Sequence, residues 1–229
     1  VLSDQFLGQR LEVIPKVNFD ALKAKIITRQ FAFGEDLQNY QRFKMTETGV
    51  SPISAPGIKG GMYTAAGIEH DETGRPTSNA ELDEKMTHKR AKKNQVILQE
   101  ESNLLWRCGD HDPDIGILAW GSTTGVVQEA VTKLQAEGHK VAALVLRQLA
   151  PLPVAPVQAF LDQLEGLLIV ELADGQFYSY LKSQLALPHS TRVHKHTGAA
   201  LFTVQEILDA IQEVDSLWET TLQQTIAAE

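Results

Sequence analysis

Three apolar runs constrain this chain more than anything else in it: IGILAW (115–120), KVAALVL (140–146) and GLLIVEL (166–172). Each reads as a buried strand. STTGVVQEAVTKLQAEG follows the first run and sets Val126, Val127, Ala130, Val131 and Leu134 on one helical face, with Gly138 as the stop. Pro151, Pro153 and Pro156 punctuate the start of the next helix, whose stripe is Val157, Phe160, Leu161 and Leu164. GQFYSYLKSQL predicts a short helix and TRVHKH a fourth strand. A capping box from Thr203 to Glu206 opens the last helix and turns Val204, Ile207, Leu208 and Ile211 inward. Strands alternating with helices over short connections predict an α/β fold, a mostly parallel sheet with helices on both faces. The carboxyl ends of the strands form the functional rim of such a sheet, and here they carry WGSTTG (120–125) and ELADGQ (171–176).

Residues 1–95 have a different texture. They offer a pair of strands and a pair of helices between long irregular stretches, with RLEVIPKVNF (10–19) reading as extended. Residues 40–80 show almost no periodicity. A loop of that length inside a compact domain is functional unless it is disordered. Phe43, Met45, Val50, Ile53, Ile58, Met62 and Tyr63 make it too apolar for disorder, so it is expected to pack against something. At its centre TGVSPISAPGIKGG (48–61) holds four glycines and two prolines. A basic helix, EKMTHKRAKKNQVILQEE (84–101), links the two halves.

Composition narrows the function classes. With 229 residues, 43% hydrophobic and 22% charged, the chain reads as an ordinary globular protein of one to two domains. It has no run of about 18 apolar residues, and so no predicted membrane span. A net charge of −8 argues against nucleic acid as the main partner, since phosphate binding needs a basic surface. Cys108 is the single cysteine, which excludes a disulfide within the chain or a thiolate cluster and predicts a reducing, cytoplasmic home. No leader peptide is visible. The opening VLSDQF reads as the end of an apolar strand running into a helix, so the chain is expected to be the C-terminal part of something longer.

No motif supplies a complete catalytic set. WGSTTG exposes amides at a helix start, but lacks both the dinucleotide glycine spacing and the P-loop lysine, and reads as a structural turn. Glu171 in ELADGQF sits where a ligand or a helix-capping carboxylate belongs. EHDE (69–72) and HDPD (111–114) hold hard-metal residue types without an accompanying ligand set. His194 and His196 share one face of a strand and read as an edge pair. KMTHKRAKK is offset by Glu81, Asp83, Glu84, Glu100 and Glu101 and reads as a solvated helix or as one making inter-subunit salt bridges. Such a chain is expected to contribute part of a composite site.

FKMTETGVSPISAPG, then GIEHDETGRPT, then KMTHKRAKK resemble the signature of the alpha subunits of 2-oxoacid:ferredoxin oxidoreductases. LAWGSTTGVVQEAVTKLQAEGHKVAALVLRQLAPLP and VELADGQF extend the resemblance over nearly the whole chain. The resemblance implies oxidative decarboxylation of a 2-oxoacid on thiamine diphosphate, acyl transfer to coenzyme A, and electrons passed through an iron–sulfur cluster to ferredoxin. It implies a beta subunit that holds the diphosphate, the magnesium and the cluster, together with an upstream part of the alpha subunit. By this resemblance residues 1–95 are the end of a thiamine-diphosphate pyrimidine-binding domain, with the active-site loop and linker helix. Residues 96–229 are a transketolase C-terminal-like domain. No catalytic or metal-binding residue is assigned to this chain.

The loop 48–61 then reads as a wall of the active site. Thr48, Ser51, Ile53, Lys59 and Met62 are expected to face the substrate, and Gly49 and Val50 the cofactor. At position 53 the members that use 2-oxoglutarate carry an arginine, which faces the distal carboxylate of the substrate, whereas this chain has Ile53. Burying a carboxylate without a cation costs several kcal/mol. The expected substrate is therefore a 2-oxoacid without a distal charge, such as pyruvate or a branched-chain oxoacid, unless Lys59 or a cation of the beta subunit replaces the arginine. Two rival readings share the fold: a transketolase-like or branched-chain dehydrogenase beta-type subunit, and a non-catalytic assembly domain. A nucleotide-binding module seated at WGSTTG is a third.

Overall fold

The computed structural model describes residues 8–9, 11–23, 26, 28–100, 103–198 and 200–214. The chain divides into two compact units, Glu12–Glu101 and a second formed by Ser102–Glu229 with Val1–Leu11. The VLSDQF expectation falls outside the described residues.

The Glu12–Glu101 unit is mostly irregular chain laid on one long helix. Asn18 opens a short helix α1 (Phe19–Lys23) by accepting the Ala21 amide on its side chain at 3.0 Å. A 3-10 turn spans Gly34–Leu37. Helix α2 (Ala80–Glu100) is capped by Asn79, whose Oδ1 accepts the Leu82 amide at 3.0 Å. Most of its side chains are exposed; Met86 and Lys89, three residues apart on one face, are buried. Among the described residues of this unit no strand forms, only isolated bridges Phe31↔Ile53 and His70↔Pro76. The expected strands are therefore absent there. Residues 11–18 have no regular structure, and Leu11 and Val13 stand 98% and 100% exposed, because no second strand lies beside them to pair with.

The second unit is the predicted α/β sheet. Its strands are β1 (Leu105–Gly109), β2 (Ile115–Trp120), β3 (Val141–Leu146), β4 (Gly166–Glu171) and β5 (Ser190–Lys195). They lie in the order β1-β3-β2-β4-β5. β3, β2, β4 and β5 are parallel, and β1 runs antiparallel on the β3 edge with Cys108 opposite Ala143. Strand β1 was not foreseen, since LWRCG is neither a long apolar run nor a clean alternation. Its Trp106 and Cys108 turn to one core and Leu105 to the other.

Period-2 alternation divides the central strands between two helical layers. Ile117, Ala119, Leu168 and Val170 pack with α3 (Thr124–Ala136) through Val127, Ala130, Val131 and Leu134, and with a helix α6 over residues 204–214 through Ile207, Ile211 and Val214. Leu118, Leu144, Leu167 and Ile169 pack with α4 (Val154–Leu161) through Val157, Phe160 and Leu161, and with α5 (Gln176–Gln184) through Phe177 and Leu181. Pro156 is harmless in the first turn of α4, where its missing N–H has no intrahelical partner to lose. Leu164 lies beyond the end of α4 yet still covers Gly116, where any side chain would strike it. No helix among the described residues is long and apolar enough to cross a membrane.

Leu168 is fully buried in β4, between β2 and β5. Leu168→Ala should destabilise the fold by about 2–5 kcal/mol, read as a lower denaturant midpoint with an unchanged slope.

Candidate functional site

In the Glu12–Glu101 unit the loop is fastened to α2 at one point. Gly49 has φ +75 and lies so close to the helix that a Cβ would collide with the Lys89 carbonyl oxygen. Only glycine meets both conditions at that position. In return the Lys89 ammonium, 7% exposed, donates to the Gly49 carbonyl at 3.0 Å. Burial, with Lys93 and Arg42 nearby, holds the Lys89 pKa below the usual lysine range. Thr46 Oγ1 donates to the Val50 carbonyl at 3.1 Å and Thr48 Oγ1 accepts the Val50 amide at 3.2 Å, so these hydroxyls shape the turn. Ser51 Oγ donates to the Lys44 carbonyl at 2.7 Å. The Ile53 backbone pairs with residues 30–32, its amide donating to Gln30 and its carbonyl accepting from Ala32, both at 2.9 Å.

The EHDE turn is a second fastening. Glu69 accepts both guanidinium nitrogens of Arg90 on α2, at 2.8 and 3.2 Å, and those bonds with the His70 amide bring its pKa down to about 2. Asp71 Oδ1 accepts from Thr73 Oγ1, Thr73 N and Arg75 N in a tight turn, which keeps its carboxyl below the usual range. Glu72 accepts the Phe43 amide on its carbonyl and the Met45 amide on Oε1 at 2.6 Å. His70 stacks on Phe43 with centroids 3.9 Å apart. The motif ties loop to helix.

The predicted site residues separate into two cavities. Val50, Ser51 and Ile53 line one of about 310 Å³ together with Arg29, Arg42, Phe43, Lys89 and Lys93. Lys59 and Met62 line another of about 560 Å³ formed by residues 54–63, with Met62 91% exposed. Lys59 does not stand beside Ile53 in that first cavity. Thr48 lines neither cavity, and Gly49 is closed against α2. The apolar residues of the loop are covered only in part: Val50 and Tyr63 remain 53% and 42% exposed. Sequence reasoning missed the cations of the first cavity. The signal was the spacing of Lys89 and Lys93, four apart and so on one helix face. KMTHKRAKK is not a uniformly solvated stretch, because Lys89 is buried.

In the sheet unit, the rim motifs are structural. Glu171 is wholly buried and its Oε2 accepts the Phe177 and Tyr178 amides at 2.7 and 3.3 Å, capping α5. In WGSTTG, Thr123 and Thr124 donate their hydroxyls back to Trp120 and Gly121. Asp114 of HDPD ends in a loose 3.9 Å pair with Lys140. His194 and His196 project from edge strand β5 and its end against Phe202, and His196 pairs with Glu206 Oε1 at 3.2 Å. The donor atoms of these three residues lie within 4.8 Å of one another. Glu206 Oε2 is already engaged with the Thr203 amide and hydroxyl as the predicted capping box, so the trio anchors α6 to the sheet edge.

A family model described as pyruvate:ferredoxin oxidoreductase core domain II matches residues 113–207. The chain is 30% identical over 216 residues to the 2-oxoacid:ferredoxin oxidoreductase subunit alpha of Saccharolobus solfataricus, covering 93% of this chain and 34% of that one. It is 28% identical over 218 residues to the 2-oxoacid:ferredoxin oxidoreductase 2 subunit alpha of Aeropyrum pernix, covering 93% and 33%. The chain thus spans about a third of the length of the curated relatives it matches. A solved structure of the 2-oxoglutarate:ferredoxin oxidoreductase from Magnetococcus marinus, with 2-oxoglutarate, coenzyme A and succinyl-CoA bound, superposes with a TM-score of 0.75 at 33% identity, covering 82% of this chain and 32% of that one.

Two outcomes test the local geometry. Gly49→Ala forces both a strained φ and a steric clash, and should destabilise the loop by more than about 1 kcal/mol, seen as faster proteolysis between residues 40 and 60. Burial, then repulsion from His196, lowers the His194 pKa from 6.5. The unfolded imidazole takes up a proton that the folded one resists, so stability is full above about pH 6.5 and declines below it. His194→Phe should flatten that decline between about pH 7 and 5.5 in denaturant titrations. An unchanged slope would remove His194 as its source.

Over most of its length the chain is thus similar to the alpha subunits of the 2-oxoacid:ferredoxin oxidoreductases.

Proposed function

We propose that this chain forms one wall of the substrate site in a thiamine-diphosphate-dependent enzyme that oxidatively decarboxylates a 2-oxoacid to an acyl-CoA and reduces ferredoxin. The observation that carries the reading is the loop 48–61, pinned to α2 through Gly49 and Lys89 so that Val50, Ser51 and Ile53 border one cavity. A nonrepetitive chain held this firmly is a positioning device; flexible linkers lack such fastening. The Magnetococcus marinus relative binds a 2-oxoacid, coenzyme A and an acyl-CoA, which supports the substrate class.

The residues of this chain suit some of the required groups and not others. Val50 offers an exposed apolar surface beside the cavity that fits the ring of a bound cofactor. Ser51 has its hydroxyl hydrogen on Lys44, leaving lone pairs as acceptors. A single cysteine does not fit an iron–sulfur cluster, and that cluster belongs in this reading to a beta subunit, with the magnesium and the diphosphate. Thiamine diphosphate, when bound, supplies the carbon nucleophile and electron sink for decarboxylation. This chain excludes water from one side of the substrate and fixes its orientation. In the same reading residues 1–95 end a pyrimidine-binding domain, residues 96–229 form a transketolase C-terminal-like domain, and the enzyme works in the cytoplasm.

The test uses the full-length alpha chain that contains these residues, co-purified with its beta subunit. Coenzyme A-dependent reduction of ferredoxin with release of carbon dioxide is expected from pyruvate, 3-methyl-2-oxobutanoate or 2-oxoglutarate. Transfer to lipoamide or a sugar without ferredoxin reduction would assign a transketolase-like or dehydrogenase role instead. A complex that retains no thiamine diphosphate would leave only an assembly role.

A further inference from the structure

The anchor that holds α6 to the edge of the sheet is incomplete as a set of hydrogen bonds. Nε2 of His194 and Nδ1 of His196 are both buried, and neither has a hydrogen-bond partner among the described residues. A buried polar atom left in that state costs about 1–3 kcal/mol. His194, His196 and Glu206 each place one donor atom within 4.8 Å of the other two. Phe202 packs against both rings, with centroids 5.1 Å from His194 and 4.1 Å from His196, and so fixes their planes. The Thr203 amide and hydroxyl donate to Glu206 Oε2 at 2.6 and 2.7 Å, which leaves Oε1 to His196.

Charge and protonation at this corner favour a cation. Burial first, and His196 second, hold His194 below its ordinary pKa, so at neutral pH it is an uncharged imidazole with a free electron pair. Glu206 and, further along α6, Glu213 add negative charge that acts on the same ring. Lys195, the cation between the two histidines in sequence, is engaged by Asp174 at 2.6 Å. Two imidazoles and a carboxylate are ligands that zinc takes at about 2.0–2.2 Å in a tetrahedron. Ligand atoms held in that way stand about 3.4 Å apart. His196 Nε2 and Glu206 Oε1 are 3.2 Å apart, which matches one edge of such a tetrahedron. Side-chain exposures of 22% for His196 and 37% for Glu206 give an ion a path from solvent.

We propose that His194, His196 and Glu206 form a zinc site, with water as the fourth ligand, that staples the start of α6 to the end of β5. The ion gives His194 Nε2 the partner it lacks. The contacts of the anchor become the orienting shell of the site: Phe202 sets the imidazoles and the capping box sets the carboxylate, as groups around metal ligands do. Zinc binds the docked helix and not the undocked one, so it strengthens the anchor in step with its concentration. The site does not involve the loop 48–61 and is independent of the function proposed above.

The experiment uses the full-length alpha chain assembled with its beta subunit, titrated with zinc against a chromophoric chelator. Magnesium is kept in excess, since it fills oxygen sites and leaves imidazole sites to zinc. The variants are His194→Gln, His196→Gln and Glu206→Gln; His189→Gln, exposed and outside the trio, is the control. Glu206→Gln keeps the cap of α6, because glutamine serves at that place in a capping box, and loses the anionic ligand. One zinc per alpha chain should depend on the trio, held at least about tenfold more weakly in each variant and equally in the control. Zinc should also slow amide exchange over residues 204–208 in the unaltered complex and not in the variants. No zinc held at about 10 μM free ion, or zinc held equally by all three variants, overturns the site. If a histidine variant fails to assemble, Glu206→Gln decides alone, and an unchanged affinity there overturns the site. Zinc binding is read without turnover, so this outcome stands apart from whether the complex oxidises a 2-oxoacid.

Discussion

The bond from the Lys89 ammonium to the Gly49 carbonyl is the contact on which the irregular half of this protein depends. The Glu12–Glu101 unit has no sheet among its described residues, and its core side chains are few: Ala32, Met86 and the polar Ser51, Ser54 and Lys89 are its main buried residues. Hydrophobic burial alone gives such a segment little reason to hold one path. Polar fastenings take its place. Lys89 clamps the loop apex, Arg90 one residue on holds Glu69, and Glu72 holds both Phe43 and Met45. Consecutive residues of one helix thus fix two turns of the loop.

The sheet unit is built on the opposite economy. Every residue of β3 and β4 is buried, and two sets of helices close the faces. Its one fully buried carboxylate among the described residues, Glu171, is satisfied on one oxygen by the start of α5. A capping carboxylate at a strand end mimics the position of a catalytic acid in an open α/β sheet, and only its hydrogen-bond partners tell the two apart. The same is true of the His194–His196–Glu206 group, whose spacing resembles a ligand set and whose contacts are those of a helix anchor.

Much of this was legible before any coordinates. Buried strands 115–120, 140–146 and 166–172 announce themselves by uninterrupted apolar runs, and the α3, α4 and α6 stripes by helical spacing. Strand β1 escaped because an edge strand with one neighbour needs only half of that pattern. Among the described residues the strands expected within 1–95 do not form, for a related reason: apolar residues such as Val13 and Ile14 set a propensity, but a strand exists only when another chain segment pairs with it. In the loop, the glycines and prolines of TGVSPISAPGIKGG marked a fixed, nonrepetitive path. They did not reveal which side chains border it, because Arg29, Arg42 and Lys93 come from three separate stretches of chain.

The sequence by itself determined the α/β sheet, its helical layers and the family resemblance, since hydrophobic periodicity and contiguous motifs are local properties read along the chain. Tertiary structure decided the character of the cavity beside Ile53. Which side chains border a concave space is set by residues distant in sequence and by the burial of Lys89, neither of which a one-dimensional pattern encodes.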